Sequence, residues 1–393
     1  MDTNLHESFF KLVRLGIGTS KDAKISKDVD WGTLKALADA QGLSAVVLDG
    51  INTVHDSGLM VNGLSLPLQL KLEWIGEVLQ NYEQRYKQYK EAIGSLAGFY
   101  NKHGFKMMVL KGYACSLDWP KPNHRPCGDI DIWLFGQQRE ADAALGSWLK
   151  VNGSRYTIDN GHHHHTVFNW QGFTVENHYD FVNVHAHKTG KEQEAIFKNL
   201  GHPSHIKDNQ ELENSRISTT SKNAKGTEIQ CMVVNGEKVY LPSVNLHALF
   251  LVRHLANHFA SMEITLRQVL DWAFFVEKHA EVIDWVWLVG VLEKYHLTDF
   301  YNCINAICVG DLGFSVKMFP NVQFDPNLKD KILQEILCPS VPNEMPKNAS
   351  RRLVWKYRRW KASEWKRKLV YDESSWSAFW NGVLGHLLKP KSI

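Results

Sequence analysis

At 393 residues the chain is longer than one small core can serve, and about two to three structural units are expected. With 44% hydrophobic and 22% charged residues and no low-complexity tract, its composition is globular and excludes a disordered or fibrous chain. A net charge of +3 is nearly balanced and argues neither for nor against a nucleic-acid partner.

The six cysteines include no C-x-x-C pair and read as reduced thiols. No run of roughly 18 or more apolar residues occurs, so no transmembrane segment is expected. The start, "MDTNLHESFFKLVRLG", lacks the positive and apolar regions of a signal peptide. The expected location is cytoplasmic.

Residues 1–100 read as a helical region. Leu34, Leu37, Ala38, Leu43, Val46, Val47 and Ile51 recur at roughly helical spacing with a break near Gly42, and a long helix runs from Leu66 to a stop at Gly104. Residues 101–241 form the expected core unit. "FKMMVL" and "DIDIWLF" are short apolar runs with the look of buried strands, and "QREADAALGSWLKVNG" between later breaks is helical. "SRYTI", "HHHHTVFNW" and "FTVENHYDF", separated by Asp159-Asn160-Gly161 and Gln171-Gly172, predict a three-strand antiparallel meander. Residues 190–240 are polar, with strands expected at "EIQCMVV" and "EKVYLP". A helical region over 242–320 begins at a Ser243 cap and holds four helices. Residues 321–393 are expected to be a loop-rich linker, then one basic helix and a Trp-rich end; five prolines lie between 320 and 349.

Aspartate is depleted in strands, so Asp129 and Asp131 ask for a reason. In a strand they share one face, about 6.5 to 7 Å apart, while Ile130, Ile132 and Leu134 face the core. Carboxylates so placed suit one or two hard cations, magnesium or manganese. Upstream, Lys111-Gly112 ends a strand at a residue whose backbone can approach an anion. Lys121, His124 and Arg125 between the two strands are cations available to a triphosphate. The plain structural alternative is a solvent-facing strand with a polar end at Lys111 and a turn at Gly112.

The order strand, "LKG" (110–112), then "R-x-x-G-D-I-D" (125–131) resembles the nucleotidyltransferase superfamily related to DNA polymerase β. It is most similar to a bacterial branch with "LKG" where most members carry Gly-Ser. The likeness extends to "VENHYDF" (Glu176, His178), "RHLANHF" (His254, His258) and "LRQVLDW" (Arg267, Asp271), and covers roughly residues 30–280. It implies an α+β fold, with a mixed-sheet nucleotidyltransferase-like core flanked by N- and C-terminal helical regions. It implies that Asp129, Asp131 and Glu176 hold two metal ions, Mg2+ or Mn2+, and catalyse transfer of a nucleoside monophosphate from a nucleoside triphosphate. In this picture Lys111, Gly112 and Arg125 orient phosphates, Ser116 substitutes for the absent serine, and Glu176 takes the acceptor's proton. The acceptor is left open between a small hydroxyl compound, a protein side chain and an RNA end. Because Lys111-Gly112-Tyr113 departs from Gly-Ser, the alternative is a degenerate member that binds a nucleotide or a partner without chemistry.

Other groups admit two readings each. His162 to His165, with His178, His185 and His187, suggest zinc chemistry of a metal hydrolase, against phosphate-side or solvent-exposed histidines. His164 and His178 are taken as substrate-side residues. So are His254 and His258, four apart on one helix face, although a pair of this kind also serves a core. Arg267 and Asp271 read as a helix-surface ion pair, with a role in the nucleotide site as the lesser alternative. Nine Lys/Arg between Arg351 and Lys368, interleaved with Trp355, Trp360 and Trp365, suggest contact with nucleic acid or an anionic surface, or a solvated helix docked by its tryptophans.

Overall fold

The computed structural model describes residues 3–21, 24–26, 28–56, 66–151, 157–161, 164–184, 187, 189–206, 226–261, 263–320, 323–341 and 345–371. Five helices come first: α1 (Thr3–Ile17), α2 (Trp31–Ala40), α3 (Ser44–Asp56), α4 (Leu68–Val78) and α5 (Arg85–Lys102). Asp30 caps α2 by accepting from the amides of Gly32 (3.0 Å) and Thr33 (3.2 Å). The break expected near Gly42 lies between α2 and α3, where Gly42 takes φ +66°. A π-helical turn, Leu79–Gln84, joins α4 to α5 and makes the long helix expected there.

Next come β1 (Met108–Val109), α6 (Tyr113–Ser116), β2 (Ile130–Trp133), α7 (Gln138–Val151), β3 (His165–Trp170), β4 (Phe173–His178), α8 (Gly190–Leu200), β5 (Gln230–Val234) and β6 (Glu237–Leu241). The six strands form one mixed sheet in the order β3-β4-β2-β1-β6-β5. β1 lies antiparallel to β2 and parallel to β6, and β2 lies parallel to β4. The fold is α+β, as expected. β3 and β4 are a hairpin through Gln171 (φ +50°) and Gly172 (φ +83°), the two positive angles of a tight hairpin turn. Of the third meander strand, residues 154–156 lie outside the described residues. Only Asp159 bridges to Val167.

The last helices are α9 (Val244–Ser261), α10 (Leu266–His279), α11 (Trp285–Lys294), α12 (Thr298–Gly310), α13 (Pro326–Leu337), α14 (Ala349–Ala362) and α15 (Glu364–Tyr371). Three of these features depart from expectation. α8 arises in a stretch read as polar strand and loop: its Gln193, Glu194, Phe197 and Leu200 are buried at helical spacing, but only two of the four are apolar. α13 forms inside the proline-rich linker because Pro326 stands in its first turn, where a missing N–H costs nothing. The basic helix divides at Ser363 into α14 and α15, and the Trp-rich end lies outside the described residues. Among the described residues no helix is long and apolar enough to cross a membrane.

The sheet separates two cores. Ile130, Ile132, Val109 and Val175 turn to one face and pack with Ile93 and Leu96 of α5 and Leu145 and Leu149 of α7. Met108, Leu110, Trp133 and Tyr240 turn to the other face. There they join a larger core shared by the N-terminal helices and α9 to α13. That second face carries the polar residues of interest.

Candidate functional site

The register of β2 against β4 builds the centre. Asp131 pairs with Glu176 and Trp133 with His178; in-register neighbours of adjacent strands share a face, and alternation along β4 places Glu176 and His178 together. His178 Nε2 stands 3.1 Å from Asp131 Oδ1 and 3.5 Å from Glu176 Oε2. Lys111 Nζ, at the end of the β1 segment, is 2.9 Å from the same Asp131 oxygen. One donor atom from each of Asp131, Glu176 and His178 can be chosen so that all lie within 4.8 Å of one another, a spacing open to a cation.

Electrostatics follow the geometry. Burial alone would hold the His178 imidazole neutral, but its bonds to Asp131 and Glu176 outweigh burial and raise its pKa to about 9. Glu176 is likewise pushed up by burial, yet His178 and Lys111 hold it well below the usual carboxylate range. Asp129 precedes β2 and stands at the exposed rim. Its carboxyl is raised by partial burial and then by the charges of Glu176 and Asp131, against Lys111 and a hydrogen bond with Thr174. Three carboxylates therefore converge from two neighbouring strands.

The backbone before β2 is braced from α5. Tyr89 donates its hydroxyl to the Asp129 carbonyl oxygen at 2.8 Å. A Cβ at Gly112 would lie 2.3 Å from that hydroxyl, and Gly112 has φ +61°. Only glycine fits beside this brace.

On α9, the rings of His254 and His258 lie tilted against each other with centroids 4.2 Å apart. Burial and the positive charge of Lys111 push both down, His258 to about 4, while Asp131 and Glu176 act on His258 in the opposite sense. Both rings are neutral at neutral pH, and His258 lies within electrostatic reach of Asp131 and Glu176. The rings of His164 and His165 lie 6.1 and 5.5 Å from that of His178, so this edge is rich in imidazole. His162, His163 and His185 lie outside the described residues.

A model of the family described as "Uncharacterised nucleotidyltransferase" matches residues 27–309. The chain belongs to this nucleotidyltransferase family. The match runs from just before α2 almost to the end of α12, and so takes in the whole sheet, α9 and α10. Among curated proteins and among solved structures nothing matches the chain. Membership in this family supports nucleotidyl transfer as the chain's general activity, with a nucleotide as the expected substrate.

Several sequence-selected residues of this nucleotidyltransferase chain stand apart from the centre. Arg125 is buried, and its guanidinium forms a two-bond pair with Asp271 of α10, at 2.7 and 2.9 Å. Trp119 Nε1 adds a third bond to Asp271, at 2.8 Å. The expected surface pair of Arg267 with Asp271 is therefore not formed, because Asp271 is buried and bound to Arg125. Lys121 and His124, read as cations for a triphosphate, are held by Asp49 of α3 at 2.6 and 2.7 Å, and His124 also by Glu83 of the π turn at 3.1 Å. The Ser116 hydroxyl donates to the Tyr113 carbonyl at 2.6 Å and touches the Tyr86 hydroxyl at 3.0 Å. Asp180, two residues after His178, lies beyond the end of β4 and pairs with Lys198 at 2.5 Å. Tyr89 and Thr174 went unnoticed in the sequence. Tyr89 is 40 residues from Asp129, with no local pattern to link the two.

Proposed function

We propose that this chain transfers a nucleoside monophosphate from a nucleoside triphosphate to an acceptor hydroxyl or side chain, with Mg2+ or Mn2+ held by Asp129, Asp131 and Glu176. The observation that carries this reading is the pairing of Asp131 with Glu176 across two parallel strands, with Asp129 at the rim of the same cluster. An all-oxygen carboxylate set of this kind suits a hard, partly hydrated cation. When bound, such ions neutralise the triphosphate and lower the pKa of the acceptor.

The protein's own groups then have distinct tasks. In the transfer, the acceptor oxygen bonds to the α-phosphorus and releases its proton to solvent, the bond to the bridging oxygen of the β-phosphate breaks, and pyrophosphate leaves with that electron pair. Lys111 lies beside Asp131 and offers its charge to the phosphates once a cation competes for the carboxylate. His178 positions Asp131 and Glu176 through one nitrogen. Glu176, held far below its usual range, is a poor proton acceptor, which favours a ligand role over the base role.

A second reading draws on the same contacts. Lys111 and His178 already neutralise Asp131, as a metal would, which fits a member that binds a nucleotide or partner without turnover. One experiment separates the two. The purified chain is incubated with Mn2+, a cell extract as acceptor source, and each nucleoside triphosphate labelled at the α- or the γ-phosphorus. The α-label should pass to an acceptor and the γ-label should not. Asp129→Ala, chosen because Asp129 is exposed, should lower incorporation by at least about a hundredfold, since metal stabilisation of the transferring group is worth several kcal/mol. Transfer that is indifferent to Asp129→Ala, or absent with every triphosphate, would refute the enzyme reading.

A further inference from the structure

The cations of the cleft can be sorted by whether a carboxylate already holds them. Lys121 and His124 are held by Asp49, Arg125 by Asp271, and Lys111 by Asp131. Arg267 is not held in this way, and neither is Arg85, whose guanidinium is taken up by the Cys127 carbonyl at 3.4 Å and the Phe173 ring. Arg267 sits in the first turn of α10, is half-buried, and pairs with no carboxylate among the described residues. Its stem and the Pro126 ring both flank Gly42: a Cβ there would meet Arg267 Cδ at 3.4 Å and Pro126 Cγ at 3.5 Å. Pro126 is three residues before Asp129, so Arg267 stands beside the segment that leads into the carboxylate cluster. Its own amide is tied to the Gln41 carbonyl at 3.4 Å.

Resting on the nucleotidyl-transfer reading, we propose that Arg267, and not Arg125, binds the β- and γ-phosphates of the nucleoside triphosphate, and that Asp271 positions it by anchoring α10 to Arg125.

The chemistry favours an anion at this place. A guanidinium partly out of water, next to a second guanidinium and with the nearby carboxylate already taken, is unfavourable until an anion arrives. Burial, then the charge of Arg125, depress Arg267, and Asp271 offsets them only in part. His254 and His258 are lowered by burial, then by Lys111 and also by Arg267. The charges of Lys111 and Arg267 therefore reach the same pair of neutral rings. Arginine's planar fork matches two phosphate oxygens at once. The R-x-x-x-D spacing then has a divided use: the aspartate, one turn on, faces inward to Arg125, and the arginine faces the cleft.

The test uses the full chain with inorganic tripolyphosphate, without metal, as probe. Wild type should be stabilised by tripolyphosphate in a thermal-shift titration, and Arg267→Gln should bind it about tenfold more weakly or worse, the loss of a single charged contact. Nucleoside monophosphate binding should change less than about twofold. The unliganded melting temperature of Arg267→Gln should equal or exceed that of wild type, whereas a merely structural arginine would lower it. Arg267→Lys should recover part of the binding. Equal tripolyphosphate affinity in wild type and Arg267→Gln, or no binding by wild type, would overturn the assignment. The nucleotidyl-transfer reading fails by a different result, absence of α-label transfer, which leaves an Arg267-dependent tripolyphosphate shift intact.

Discussion

Asp131 carries more of the local electrostatics than any other side chain here, because one of its oxygens meets both Lys111 Nζ at 2.9 Å and His178 Nε2 at 3.1 Å. The cluster is balanced without any ion, and a cation that enters must displace positive charge as well as gain ligands. A different carboxylate, remote from the cleft, is not balanced. Glu194 of α8 is buried and accepts from the Val182 amide at 3.0 Å. Burial, with the charge of Asp180, raises its pKa to about 7 in spite of Lys198. The folded state thus keeps this proton to higher pH than the unfolded chain, for which 4.5 is the reference. The favourable contribution is complete below pH 4.5 and is lost as pH rises through 7. The loss amounts to no more than about 3 kcal/mol. Urea denaturation of wild type and Glu194→Gln across that window should show a falling curve for the first and a flatter one for the second. Parallel curves would remove Glu194 as the cause.

Elements meet the site through few, specific joints. α10 is fixed to the segment before β2 by the Arg125–Asp271 pair and by Trp119, all buried. α5 reaches the same segment through Tyr89. Removing one partner of a buried pair leaves an uncompensated charge, so Asp271→Asn should cost about 3 to 5 kcal/mol in denaturant unfolding. Replacing both partners with apolar residues, as in Arg125→Met with Asp271→Leu, should recover much of that loss while activity stays impaired, because the anchor of α10 has changed. A single Asp271→Asn as stable as wild type would show that the joint contributes little. α3 and the π turn grip the same loop through Asp49 and Glu83. The helices before the sheet therefore shape the loop that carries the first aspartate.

At the scale of the molecule, two cores on opposite faces of one sheet leave a polar strip between β2, β4 and α9. Much of this was legible before the structure. Short-range periodicity marked α2, α3, the long α4–α5 helix, α9 to α12 and the β3–β4 hairpin. The D-x-D alternation and the "VENH" segment marked Asp131, Glu176 and His178. Long-range pairing was not legible. Arg125 and Asp271 are 146 residues apart and Lys121 and Asp49 are 72 apart, so nothing local told that these cations were already held. The same blindness made Arg267 look paired, since i and i+4 on a helix suggest a bond that a third residue has taken. α8 and α13 were hidden for another reason: their buried sides are narrow, and Pro326 looks like a breaker when read without its place in the first turn.

The central claim is that the three carboxylates hold a divalent cation and, through it, a nucleotide. A thermal-shift panel tests it most directly, with the four ribonucleoside triphosphates, each with and without Mn2+, on wild type and Asp129→Ala. A ligand that binds only the folded state stabilises it by mass action, by about 2.7 kcal/mol at a hundredfold excess over Kd, and so raises the melting temperature. The shift with metal and one or more triphosphates together should exceed the sum of the separate shifts, and it should be lost in Asp129→Ala. Equal shifts in the variant and wild type, or none with any triphosphate in the presence of Mn2+, would contradict the claim.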